Sequence, residues 1–146
     1  MTEDLFERKM LSFLRNVFGQ NKKGMNFSMK KTKMLKKNYE FKNVLTKGKY
    51  YSGRNIEAFI KKNNKNFNYL GLAISSKTGK AVMRNKIKRL LRENYKNFEP
   101  DISSGFSIVF LWKKKADTKY ANFYNIRSDM NYIFDKANLK KWKIYL

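Results

Sequence analysis

At 146 residues, with 34 Lys and Arg against 11 Asp and Glu, the chain has a formal charge of +23, far beyond what solubility needs, which points to nucleic acid or an anionic membrane surface. The length sets one domain with a modest core, and no stretch approaches the ~18 consecutive apolar residues of a membrane span. Neither Cys nor His occurs, so disulfides, thiolate metal sites and the commonest general base are excluded, and a protein active site would need scattered carboxylates, Lys or Tyr.

Residues 1–28 stand apart. Leu5, Phe6, Met10, Phe13, Leu14, Val17 and Phe18 follow a rough helical period that Gly19 would end. Three readings remain open for them: a start assigned too far upstream, with Met25 or Met29 the true start; an accessory helix; or a targeting peptide. Glu3, Asp4 and Glu7 speak against the last, since such peptides are poor in acids.

From Met29 the chain opens basic, then becomes periodic. Asn38 suits an N-cap, Phe41, Val44 and Leu45 make an apolar helix face, and Gly48 suits the stop. Asn55 to Lys61 alternates as a strand, Asn63 to Asn66 reads as a turn, and Tyr69 to Ser75 is a second strand. One face of that strand has Leu70, Leu72 and Ile74. The other has only Gly71, Ala73 and Ser75, small enough to let a backbone or a nucleotide approach. Tyr50 and Tyr51, ahead of the first strand, offer π-faces for bases.

The segment from Lys77 to Lys96 dominates. As a helix from about Val82 it gathers Met83, Ile87, Leu90, Leu91 and Asn94 in one arc, the spacing of a buried stripe. Arg84, Lys88 and Arg92 then form a row on one flank, Asn85, Arg89 and Lys96 fall outside, and Glu93 is the only acid. Arg84/Lys88 and Lys88/Arg92 are like-charge i, i+4 pairs, each costing about 0.2–0.5 kcal/mol. A solvated face normally interleaves acids with its bases, so this pattern predicts a polyanion partner. Pro100 and Gly105 punctuate the chain before Phe106 to Trp112, an apolar run that suits a strand covered on both faces. Asp117 suits an N-cap, and Phe123, Ile126, Met130, Ile133, Phe134 and Ala137 mark a last amphipathic helix before a basic tail.

Lys77-x-Gly79-x-Ala81-Val82-x-Arg84-Asn85-x-Ile87-Lys88-Arg89-x-x-Arg92 resembles the signature of the protein subunit of bacterial ribonuclease P. Where that family has Arg-Asn-Arg this chain has Arg84-Asn85-Lys86, and Lys keeps the charge without the planar fork. Leu35 to Gly48 is similar to the family's first helix, with Phe41 at the first of two positions often aromatic and Leu45 at the second. Arg54 matches a basic position of the family.

The resemblance implies an α/β sandwich in the order α-β-β-α-β-α, like the second domain of a small-subunit ribosomal protein. Strands two and three would be parallel, joined through the basic helix by a left-handed crossover; general rules favour a right-handed one. It further implies residues 1–28 as an extension, 29–139 as the family domain and 140–146 as a basic tail. The protein would be one component of an endonuclease that removes the 5′ leader of precursor tRNA, with Mg²⁺ held mainly by an RNA subunit and the substrate. Its partners would be that RNA subunit and precursor tRNA, in the cytoplasm, with no membrane and no small-molecule substrate. Arg54, Lys77, Arg84, Asn85, Lys86, Lys88, Arg89 and Arg92 would bind RNA, and Phe41, Leu45, Gly71 and Ala73 would form the leader groove. The alternatives are a ribosomal or RNA-chaperone protein without a role in cleavage, a metal-dependent nuclease acting alone, for which no clustered acids are visible, and a peripheral membrane protein.

Overall fold

A computed structural model of the chain describes residues 29–141, so the expectations for residues 1–28 and for the end of the tail lie outside the described residues. The elements are β1 (Thr32–Met34), α1 (Asn38–Lys47), β2 (Lys49–Ser52), β3 (Ile56–Lys62), β4 (Asn68–Ala73), α2 (Ala81–Phe98), β5 (Phe106–Trp112) and α3 (Phe123–Lys136), with short 3-10 turns at Ser76–Thr78, Glu99–Asp101 and Thr118–Tyr120. They make one mixed sheet in the order β1-β4-β5-β3-β2. β1 and β5 run parallel to β4, whereas β3 runs antiparallel to both β5 and β2. The α/β sandwich, the three helices and the parallel β4–α2–β5 connection agree with expectation.

Two strands were not anticipated. β1 and β2 are edge strands of three and four residues with Lys33 and Lys49 among them, too short and too polar to show a period of two. Tyr50 and Tyr51 therefore sit in a strand of their own, on opposite faces: Tyr50 pairs with Phe59, and Tyr51 with Ala58.

Each face of the sheet has its own cover. On one, Ile56, Ala58, Ile60, Leu70, Leu72, Ile74, Ile108, Phe110 and Trp112 pack under α2 (Ile87, Leu90, Leu91, Tyr95) and α3 (Ile126, Met130, Ile133, Phe134). On the other, Phe41, Val44 and Leu45 of α1 join Leu35, Ala73 and Val109, with Phe59, Tyr69 and Leu111 at the margin. β5 is apolar nearly throughout because it is buried from both sides.

Long-range polar pins hold these layers. The Tyr95 hydroxyl lies 2.7 Å from Thr32 Oγ1 of β1 and accepts from Asn68 Nδ2 of β4, and burial pushes its phenol up to about 12. The buried Glu99 carboxylate accepts from the Lys30 and Lys31 amides, tying β1's approach to the end of α2. Asp129 of α3, also buried, accepts from three successive amides, those of Arg54, Asn55 and Ile56 at 3.2, 2.8 and 3.3 Å. Asp117 caps the 3-10 turn rather than α3. Asn122 caps α3, its Oδ1 accepting from the Asn125 amide at 2.9 Å.

Candidate nucleic-acid interface

α2 begins one residue before the expected start and buries Ile87, Leu90, Leu91 and Asn94 of the predicted stripe, together with Tyr95, which the spacing did not single out, while Met83 in the first turn is half-buried. Asn94 stays inside because its Nδ2 donates to the Leu90 and Phe123 carbonyls, which joins α2 to the start of α3. The opposite face shows Asn85, Lys86, Arg89 and Lys96 to solvent. Arg89 is tempered by Glu93, 3.7 Å away across an exposed i, i+4 pair.

The flank row behaves differently from the outer face. The Arg84 guanidinium donates to the Ser76 and Gly79 carbonyls, clamping the loop that leads into the helix, and its Nε is buried without a partner among the described residues. Lys88 is half-buried, and its amine is held below the usual lysine range by burial, then by Arg92 and Arg84 on either side. Burial likewise lowers Arg92, against the pull of Glu93. A row of half-desolvated cations one turn apart is costly in the free protein. A phosphate laid along it would relieve that cost.

Lys88→Met should therefore raise the melting temperature by about 2–4 °C, since it removes both like-charge contacts and an unfavourable burial. It should also weaken RNA binding, with the salt slope shallower by about 0.7. Arg89→Ala should leave stability within about 0.5 kcal/mol. Arg84→Ala should cost more, about 1–2 kcal/mol, because the loop loses its clamp. Thermal melts and binding isotherms across a salt series read all three.

The RNA-binding residues expected from sequence do not form one patch. Lys77, Arg84, Asn85, Lys86, Lys88, Arg89 and Arg92 share α2 and its lead-in. Arg54 lies in the β2–β3 turn, fastened by Asp129 and by the Lys113 ammonium, which donates to the Gly53 carbonyl at 3.0 Å. The topology nonetheless aligns the two groups. The end of β4, the end of β5 and the start of β3 lie side by side (Ala73↔Leu111, Trp112↔Ile56). The loops beyond them accordingly set Lys77 and Lys80, then Lys113 to Lys115, then Arg54 along one basic rim.

Phe41, Leu45, Gly71 and Ala73 are brought together as expected, but the open cleft is filled. Phe41 is 3 % exposed and Leu45 5 %. A Cβ on Gly71 would stand 2.6 Å from Phe41 Cε1 and 3.0 Å from Leu35 Cδ1. The missing side chain thus seats the Phe41 ring and does not floor a nucleotide site. The accessible part of that face lies beyond α1, toward the basic rim: half-buried Phe59 and Leu111, and Tyr50, which is 49 % exposed. The Tyr50 and Phe59 rings are 5.3 Å apart, and Tyr50 donates to Glu57 Oε2 at 2.6 Å. The strand alternation could have revealed Phe59, since Ile56, Ala58 and Ile60 leave it on the opposite face. Asp129 was legible too, as an acid inside the Ile126–Met130–Ile133 arc.

The family model described as Ribonuclease P matches residues 29–138. A Clostridium botulinum protein named Ribonuclease P protein component is 37% identical over 112 residues, 76% of this chain and 98% of that protein. Among solved structures, the RNase P protein of Staphylococcus aureus aligns with a TM-score of 0.66 at 28% identity, over 74% of this chain and 97% of its own. That of Thermotoga maritima aligns with a TM-score of 0.62 at 26% identity, over 77% and 99%.

Proposed function

The chain belongs to the ribonuclease P protein family, a ribonucleoprotein's protein component in tRNA processing, and on that footing we propose a division of labour between its surfaces. The outer face of α2 (Asn85, Lys86, Arg89) meets the ribonuclease P RNA. The 5′ leader of precursor tRNA lies on the open half of the α1 face, over Tyr50, Phe59 and Leu111, with its phosphates along the rim of Lys77, Lys113 and Arg54. The observation that supports this most is the adjacency of an aromatic strip and a basic rim at one end of the sheet. Single strands are held by that pairing of stacking and backbone charge, without a base code.

Mg²⁺ held by the RNA partner and the substrate supplies the hydrolytic chemistry. The basic and aromatic surfaces described above suit the protein side chains to binding and positioning. Among the described residues no helix is long and apolar enough to cross a membrane, and we place the protein in the cytoplasm with its RNA partners.

Reconstitution with a bacterial ribonuclease P RNA at low Mg²⁺ tests the proposal. Cleavage of precursor tRNA at the mature 5′ end should require both components, and protein alone should cut nothing. If about five phosphates are neutralised along a single strand, log K should fall with log salt at a slope of roughly −3.5. Leader-independent binding, or cleavage by RNA-free protein, would contradict it.

A further inference from the structure

α1 crosses the sheet over β5 and β3 and divides its face in two. Asn43 on its far flank accepts from the Lys61 ammonium at 2.7 Å, marking the side away from the rim. On that side stands a second aromatic and basic array. Phe67 and Tyr69 meet edge to face with centroids 5.1 Å apart. Lys33 Nζ of β1 lies 4.5 Å from the Phe67 centroid, and Lys65 Nζ lies 5.8 Å from it. Both rings are half-buried and both lysines exposed.

The array is held in place. The Asn63 side chain donates to the Phe67 carbonyl and accepts from the Lys65 amide, and the Asn63 amide donates to the Gly105 carbonyl, fixing the β3–β4 loop against the start of β5. Lys33 is set opposite Tyr69 by the β1–β4 register.

We propose that Phe67, Tyr69, Lys33 and Lys65 form a stacking site for an unpaired nucleotide of the ribonuclease P RNA, separate from the leader surface. This rests on the functional reading above. An exposed ammonium over a ring is held by only about 0.5–1 kcal/mol, whereas a base stacked on the same ring gains about 1–3 kcal/mol. A base therefore replaces the ammonium on the ring, and the displaced lysine, on its flexible stem, turns to that nucleotide's phosphate. The RNA subunit is the occupant because α1 stands between this array and the leader surface, so a leader lying on Tyr50 would have to climb over a helix about 10 Å across to reach Phe67.

Phe67→Leu keeps apolar bulk and removes the π-face, and Lys33→Gln/Lys65→Gln keeps the ring and removes the charge. Each is compared with the unaltered full chain for binding to transcribed ribonuclease P RNA across a salt series, for holoenzyme binding to precursor tRNAs with leaders of graded length, and for thermal stability. Phe67→Leu should weaken RNA-subunit binding about tenfold, and the lysine pair should make the salt slope shallower by about 1.4, with leader-length dependence unchanged in both. Unchanged affinity for the RNA subunit in the lysine pair would overturn the proposal, whatever Phe67→Leu does to folding. Losses that grow with leader length and spare the RNA subunit would also overturn it, by assigning the array to the leader. Failure of the unaltered chain to bind ribonuclease P RNA would instead defeat the functional reading beneath it.

Discussion

Phe41→Ala should destabilise the domain by about 3–5 kcal/mol, the cost of emptying an aromatic site that cannot collapse. The ring fills the space over Gly71 that any side chain there would need. Gly71→Ala alone should cost about 1–3 kcal/mol, since the ring must move off its seat. Combined with Phe41→Ala, however, the new methyl enters the vacated space. The double variant should be more stable than the two losses predict, by about 1 kcal/mol or more. Leu45→Phe should destabilise by about 1–3 kcal/mol through overpacking instead of completing a stacking pair. Denaturant midpoints of the four proteins give the cycle. A leader-length series on Phe41→Ala should show the same affinity change at every length, because the ring does not meet the strand. Tyr50→Ala should lose affinity only as the leader grows.

Asp129→Ala carries the other large effect. Three buried or half-buried amides in a row lose their shared acceptor, and hydrogen bonds to a charged group are each worth about 1.5–3 kcal/mol. Water can re-enter part of the turn, so a loss of about 3–4 kcal/mol is expected, with Asp129→Asn losing roughly half as much. Gly53→Ala should resemble it, because a Cβ there would stand 2.9 Å from Asp129 Cβ and Cγ. The function should change in kind as well. With the turn released, Arg54 no longer occupies its place on the rim, so Asp129→Asn and Arg54→Ala should each make the salt slope shallower by about 0.7, and the pair together by no more than either. Additive slopes would show that the turn positions nothing.

The buried stripe of α2, the alternation of β3, the two-sided run of β5 and the apolar arc of α3 were all legible, because each is a periodicity that burial imposes locally. Gly71 shows where local reasoning stops. Small residues on a strand face announce a close approach, but only the path of α1 decides whether the visitor is a nucleotide or Phe41. Arg84 shows the same limit for charge: sequence places it in a cationic row, while its guanidinium is turned to the Ser76 and Gly79 carbonyls. β1 escaped detection because nothing in Thr32-Lys33-Met34 itself makes a strand. It is made a strand by β4, its ladder partner, and is fastened by Tyr95 and, through Lys30 and Lys31, by Glu99, all far along the chain.

That remoteness has a consequence for synthesis. The contacts that fasten β1 span 63 and 69 residues, and a ribosome adding about 5–20 residues per second needs roughly 3–14 s to supply their far side. The first strand of the domain thus waits for residues made long after it, and a long loop is closed at entropic cost when it is fastened. Until then Lys30, Lys31, Lys33, Lys36 and Lys37 trail as a loose cationic thread near the exit of a machine made largely of RNA. Nascent-chain arrest at successive lengths, read by protease resistance of this segment, should show protection only once Glu99 has emerged.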